Sequence, residues 1–138
     1  MAKGKLNTAK YAENVEQAID FAMAAYLNAA QGKLVRANPK DTGRMASSWN
    51  IAQNFIDTST APERVPGSQK VEVNTYSGKI TADGTWFLSN SLPYAVRVAY
   101  DPTWAKGGAG GTAWYTNITN TLPQLLTKYQ TQALRRVK

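Results

Sequence analysis

A long amphipathic helix is the feature that most constrains the fold of this chain. Between residues 8 and 31, apolar side chains recur at steps of three and four, which is the spacing of one broad helix face. These side chains are Tyr11, Val15, Ala18, Ile19, Ala22, Met23, Tyr26, Leu27 and Ala30. The helix is predicted to end at Gly32, or alternatively to continue through residues 34–35. Asn38-Pro39 should end it in either case, because a residue that precedes proline is disfavoured in helical conformation.

Short β-prone segments follow this helix. Apolar residues at odd positions predict a strand from Ser47 onward with one buried face, although the first two of them also fit a turn of helix. These residues are Met45, Trp49, Ile51 and Phe55. Three further strand segments are predicted at residues 70–76, 79–81 and 85–90. Residues 91–100 fit a short helix or a strand, and a short helix is the favoured prediction.

The carboxyl-terminal part of the chain predicts a second amphipathic helix. It falls within residues 119–138, with Pro123 in its first turn, where a missing N–H is tolerated. The glycine-rich residues 101–113 predict a flexible loop before it. This order of elements predicts the α+β class. We expect a single domain over residues 1–138, in which the long amino-terminal helix and the carboxyl-terminal helix pack on an antiparallel β-sheet.

The composition excludes several kinds of chemistry. The chain has 138 residues, with no cysteine and no histidine, so it lacks the thiolate and imidazole groups that serve as metal ligands and nucleophiles or general bases. Its nine carboxylates are scattered along the sequence. In residues 105–112, Lys106 precedes the glycines, whereas a phosphate-binding loop needs its lysine after them. We therefore predict no enzyme activity, no metal site and no cofactor.

The charge of the chain is strongly basic, with a net charge of +7. Residues after 101 include five basic residues and no acidic one. Four of them are candidate contacts to DNA or to an acidic protein surface: Lys128, Arg135, Arg136 and Lys138. Alternatively these are solvated ends of a soluble protein, or the chain is a small basic nucleic-acid-binding module. No apolar run long enough for a membrane span and no signal-peptide pattern is present, so we expect synthesis in the cytosol and no membrane partner.

The tryptophans near the glycine-rich loop have three interpretations. Trp86 fits the core, whereas Trp104 and Trp114 flank the loop. There they can close the ends of the loop, contact a protein partner, or stack on bases beside Lys106. We take Trp104, Lys106 and Trp114 as a candidate interface loop.

The segment NPKDTGRMASSW, residues 38–49, predicts a compact corner after the first helix. Asp41 can accept backbone N–H bonds two residues on, and Gly43 can take a positive φ. Arg44 then has a fixed place at the start of the next element. Two small serines allow another backbone to approach closely, and Trp49 supplies a large buried side chain.

Two segments of the sequence resemble the tail-completion and neck proteins of tailed bacteriophages. The first block is matched by Pro39, Asp41, Thr42, Gly43, Arg44, Ser48 and Trp49. The second block, within LPYAVRVAY, is matched by Pro93, Tyr94, Ala95 and Tyr100. The family often has glutamate where this chain has Ala99, and glycine where it has Asp101-Pro102. With the order of elements, the resemblance covers roughly residues 10–100.

This resemblance implies a structural protein of the virion. The expected assembly is a homo-oligomeric ring, sixfold, at the head–tail junction, which joins or closes the tail and lets DNA pass. Expected partners are portal or connector, head-closure or tail-tube proteins, with non-specific DNA contact in the channel. The ring would assemble in the host cytoplasm and remain in the virion. Arg44 is expected to pair with Asp41 or with a carboxylate of the adjacent subunit.

Overall fold

A computed structural model describes residues 8–40, 42–101 and 113–137. Four helices and two strands lie in these ranges, together with a 3₁₀ turn at Ala46–Ser48. The helices are α1 (Thr8–Ala37), α2 (Ala95–Tyr100), α3 (Trp114–Thr119) and α4 (Leu122–Arg135), and the strands are β1 (Trp49–Gln53) and β2 (Trp86–Asn90). The predicted α+β class is confirmed in one domain, in which α1 packs against α4 and also against β1 of a small antiparallel sheet.

Helix α1 continues past Gly32 to Ala37, as the longer of the two predictions had it. Its last turns are held by packing, because Leu34 and Val35 are buried in the core. Burial of this kind offsets the cost of a glycine in a helix interior, which is about 1 kcal/mol. The backbone N–H of Asn38 still donates to the carbonyl of Leu34, and the helix ends there, before Pro39.

The sheet contains only two strands in the described part of the chain. β1 and β2 pair antiparallel, with Trp49 opposite Asn90 and Gln53 opposite Trp86. The predicted strands at 70–76 and 79–81 are wrong, since neither segment joins a ladder. Side chains bind the backbone of 70–76 instead. The N–H of Glu72 donates to Ser47 Oγ, and the carbonyl of Asn74 accepts from Gln31 Nε2.

Strand β1 is buried on both faces, not on one as its alternation predicted. Its first four residues are all buried, including the polar Asn50. The strand also ends earlier than predicted, because Asn54 takes a φ of 67° and turns the backbone out of the sheet. Phe55, which was expected on the buried face, therefore lies exposed just beyond the strand.

The core consists of two neighbouring apolar clusters. The larger one joins the end of α1, the corner, α2 and α3, and its buried members are Leu34, Val35, Ala37, Met45, Ala46, Trp49, Leu92, Ala95, Val98, Ala99 and Trp114. The smaller one is formed by Leu27 of α1, Ile51 of β1 and Ile80 of the segment before β2. The predicted helices α2 and α4 are present, and Pro123 lies in the first turn of α4 as expected. Helix α3 was not predicted.

Candidate functional site

The corner after α1 is closed by hydrogen bonds from side chains to the helix end. Asn38 is buried, and its side-chain oxygen accepts the indole N–H of Trp49 at 3.0 Å. Lys40 donates through Nζ to the carbonyls of Arg36 and Asn38, both at 2.9 Å, and so satisfies carbonyls that the helix end leaves open. Burial lowers the pKa of Lys40 below its ordinary value. Asp41, the predicted turn acceptor, lies outside the described residues.

Gly43 is the residue on which the shape of the corner depends. It has a φ of +80°, as predicted, which L side chains rarely adopt. A Cβ at this position would also overlap the carbonyl oxygen of Lys70. Beside it, Thr42 Oγ1 accepts the backbone N–H of Arg44 at 3.1 Å. The glycine therefore permits both the turn and the close approach of a segment that lies far along the chain.

The two serines of the corner bind the backbone of this distant segment. Ser48 Oγ accepts the N–H of Ala61 at 2.9 Å and donates to the carbonyl of Arg44 at 2.6 Å. Ser47 Oγ accepts the N–H of Glu72 at 2.9 Å. The close approach of another backbone that the small serines predicted is thus present. The approaching backbone belongs to the long connection between β1 and β2.

Arg44 also binds this connection. Its Nε donates to the carbonyl of Ala61 at 2.7 Å, and its Nη1 lies 3.9 Å from Glu63 Oε1. The prediction of Asp41 or a neighbouring subunit as the acidic partner did not include Glu63. No local pattern signals that the connection folds back over the corner. The Glu63 side chain is 90% exposed, so the ion pair contributes little and the carbonyl bond contributes more.

We expect Arg44→Ala to lower the free energy of unfolding by about 1–2 kcal/mol, because it removes a partly buried hydrogen bond and the packing of the arginine stem. Glu63→Gln should change it by less than about 0.5 kcal/mol. Equilibrium urea denaturation of both variants measures the two effects. Limited proteolysis of residues 57–69 should be faster only in Arg44→Ala. Equal effects of both substitutions would contradict this assignment and make the ion pair the important contact.

Buried amides complete the attachment of the connection, and the sequence did not single them out. Gln31 Nε2, on α1, donates to the carbonyls of Trp49 and Asn74 at 2.9 and 2.8 Å. Asn50 Nδ2 donates to the carbonyls of Asp57 and Ser59, and its Oδ1 accepts from Asn74. Within the described part of the chain, every buried side-chain nitrogen and oxygen has a hydrogen-bond partner. A glutamine on the inner face of α1 is the only signal that could have pointed to this network.

The second block packs against the first through one tyrosine. The ring of Tyr115, on α3, stacks on Trp49 with centroids 6.2 Å apart, and Tyr100 meets it edge-on at 5.3 Å. Burial, with contributions from Tyr100, raises the pKa of Tyr115. Ala95 is buried and Tyr94 packs against the same core, whereas Pro93 is exposed. Two segments that are far apart in sequence thus share one aromatic cluster.

The structure corrects the prediction that Trp114 belongs to a candidate interface loop. Its side chain is 0% exposed, and its indole N–H donates to the carbonyl of Val98 at 3.0 Å. It packs in the larger core cluster because α3 begins at this residue and lies against α2. It is therefore not available as a surface contact. The other two members, Trp104 and Lys106, lie outside the described residues, as does the predicted flexible loop except at its two ends.

The basic residues of the carboxyl-terminal helix are on the surface. Lys128, Arg135 and Arg136 are exposed, and none of them forms an ion pair with another described residue. Lys138 is outside the described residues. An exposed cationic helix end is compatible with either DNA or an acidic protein surface.

Neither a metal-binding acidic cluster nor a bilayer-spanning helix occurs in the part of the chain that the structure describes. In residues 8–40, 42–101 and 113–137, no group of three or more acidic side chains could hold a metal ion. Among these residues, no helix is long and apolar enough to span a bilayer. Comparisons with protein-family models, with curated proteins and with solved structures give no match.

Proposed function

We propose that this chain is a structural protein of a tailed-phage virion. In this proposal it forms a ring at the head–tail junction that joins or closes the tail and lets DNA pass. The observation that carries the proposal is the resemblance of two short blocks to neck and tail-completion proteins. It gains support from the packing of Trp49 of the first block and Tyr100 of the second on the same tyrosine.

The attachment of the long connection also suits an assembly protein. Arg44, Ser47 and Ser48 hold the connection between β1 and β2 through defined hydrogen bonds, although it contains no further strand. A surface fixed in this way loses little conformational entropy when another subunit binds it. Because these three side chains are already hydrogen-bonded within the chain, the corner in this proposal contributes a fixed shape and no free polar groups of theirs.

Exposed apolar side chains supply a second kind of support. Nine large apolar residues of the described chain are more than a third exposed: Tyr11, Phe21, Phe55, Ile56, Val65, Val73, Val96, Tyr100 and Leu134. Single exposed apolar residues are ordinary, but grouped ones mark surfaces that other proteins cover. A virion component is expected to have such surfaces, since it functions only within an assembly.

Deletion of the gene from the phage genome tests this function directly. We expect full heads and separate tails in electron micrographs of the lysate, and joined particles when the gene is supplied from a plasmid. Mass spectrometry of purified wild-type particles should detect the chain in a fixed copy number. Normal, infectious particles without the protein would overturn the proposal.

The nucleic-acid-binding alternative predicts a different result. A DNA-binding module should bind duplex DNA with an affinity that falls steeply with salt concentration, because Lys and Arg displace counterions from phosphates. Arg135→Gln with Arg136→Gln should reduce that salt dependence. Such binding by a permanent monomer that is absent from particles would favour this alternative.

A further inference from the structure

An apolar groove lies between the first half of α1 and the end of α4. Its volume is about 620 Å³. Its apolar lining combines alanines with larger side chains. The lining residues used here are Ala18, Phe21, Ala25, Tyr129, Ala133 and Val137, which we call the helical groove. Phe21 is 63% exposed, so no described residue covers this side chain fully.

Two adjacent apolar side chains are exposed just after β1, and we call them the apolar tip. They are Phe55 and Ile56, which are 59% and 52% exposed. The backbone on both sides of the tip is held. Before it, the N–H of Asn54 donates to the carbonyl of Thr85. After it, the carbonyl of Asp57 accepts from Asn50 Nδ2 at 3.1 Å. Two adjacent apolar side chains on a fixed backbone have the properties of interface anchors.

The tip does not occupy the groove of its own chain. The lining of the groove comes from α1, α4 and the residues just after α4, and neither Phe55 nor Ile56 belongs to it. Both side chains are exposed in the single chain. A contact between the tip and the groove must therefore involve different surfaces of two copies, as in a closed ring.

Charge favours this pairing over groove against groove. The groove is lined by Arg136 and by no acidic residue, and Arg136 has no acidic partner among the described residues. The tip is followed by Asp57, whose carboxylate accepts from the N–H and Oγ of Ser59. These bonds hold the pKa of Asp57 below its ordinary value. Two grooves facing each other would instead place each Arg136 against a lining that has no acidic residue.

We infer that the apolar tip of one copy occupies the helical groove of the next copy. The occupant is a second copy of this chain, and the contact is the subunit interface of the proposed ring. This inference rests on the proposed function only for the closure of the ring. The pairing of tip with groove can be tested separately.

Cysteine cross-linking tests the pairing, since the chain has no cysteine of its own. We would mix purified Ile56→Cys with Gln132→Cys, and Phe55→Cys with Gln17→Cys, because both glutamines line the groove. After mild oxidation, we expect a heterodimer on non-reducing gels in at least one mixture. Val65→Cys, which is even more exposed but lies elsewhere in the connection, should give none with either partner. Homodimers of Gln132→Cys alone would overturn the inference in favour of groove against groove.

Self-association of serine variants supplies a second, independent measurement. Phe55→Ser with Ile56→Ser, and separately Phe21→Ser, should raise the dissociation constant in sedimentation velocity at least about tenfold. The exposed controls Val65→Ser and Val96→Ser should leave the dissociation constant unchanged, and thermal unfolding should be unchanged in all four variants.

Oligomers that form normally in the tip and groove variants would overturn the inference and leave the head–tail function intact. A chain that never self-associates, alone or with heads and tails from the deletion phage, would overturn it as well. The deletion phenotype would still decide the function.

Discussion

Trp49→Ala is expected to lower the free energy of unfolding by about 3–5 kcal/mol, the cost of removing a core tryptophan. Trp49 is buried, stacks on Tyr115, and donates its indole N–H to the buried Asn38. The substitution therefore removes apolar packing and also leaves a buried oxygen without its donor. Since single domains are stable by about 5–15 kcal/mol, this loss is a large fraction of the total.

Equilibrium urea denaturation, followed by far-ultraviolet circular dichroism, measures this loss. Trp49→Phe keeps a large ring and should cost about 1–3 kcal/mol, mainly through the unsatisfied oxygen of Asn38. The double variant Trp49→Phe with Asn38→Ala should cost less than the sum of the two single variants. Phe21→Ala is the control, because that side chain is mostly exposed and should change stability by only about 0.5 kcal/mol. A loss below about 1 kcal/mol for Trp49→Ala would contradict the assignment of Trp49 to the core.

Gly43→Ala is expected to lower the free energy of unfolding strongly, although it adds only one methyl group. Alanine at a φ of +80° is strained by roughly 1–2 kcal/mol. The new methyl group would also overlap the carbonyl of Lys70, so the backbone of the connection must move. Forced movement of packed backbone adds a further cost of about 1–3 kcal/mol.

Gly67 provides a matched control for this prediction. It has the same φ of +80°, but a Cβ at Gly67 has no atom within 4 Å. Gly67→Ala should therefore show the backbone strain alone. We expect the free energy of unfolding of Gly43→Ala to lie roughly 2 kcal/mol below that of Gly67→Ala, with faster proteolysis of residues 57–75. Equal losses in the two variants would mean that the close approach at Lys70 is unimportant.

Local patterns predicted α1, α2 and α4, because helix formation depends on neighbouring residues, but they did not predict α3. The apolar spacing of α1 and the stop at Asn38-Pro39 placed its extent, and Pro123 placed the start of α4. The positive φ of Gly43 was also predictable, because the turn sequence around it requires a residue without a Cβ. The same patterns failed at residues 70–76, where alternation indicates two environments but does not show whether a partner strand exists.

The sequence by itself determined the α+β class, the long first helix, the corner at residues 38–49 and the lack of imidazole and thiol chemistry. Only the tertiary structure decided what the corner binds. Arg44 reaches Ala61, 17 residues away, and Gln31 reaches Asn74, 43 residues away. The tertiary structure also decided that Trp114 is buried and that Phe55 is exposed. The physical reason is that each of these outcomes depends on where a distant segment folds back, and a residue's immediate neighbours carry no information about that position.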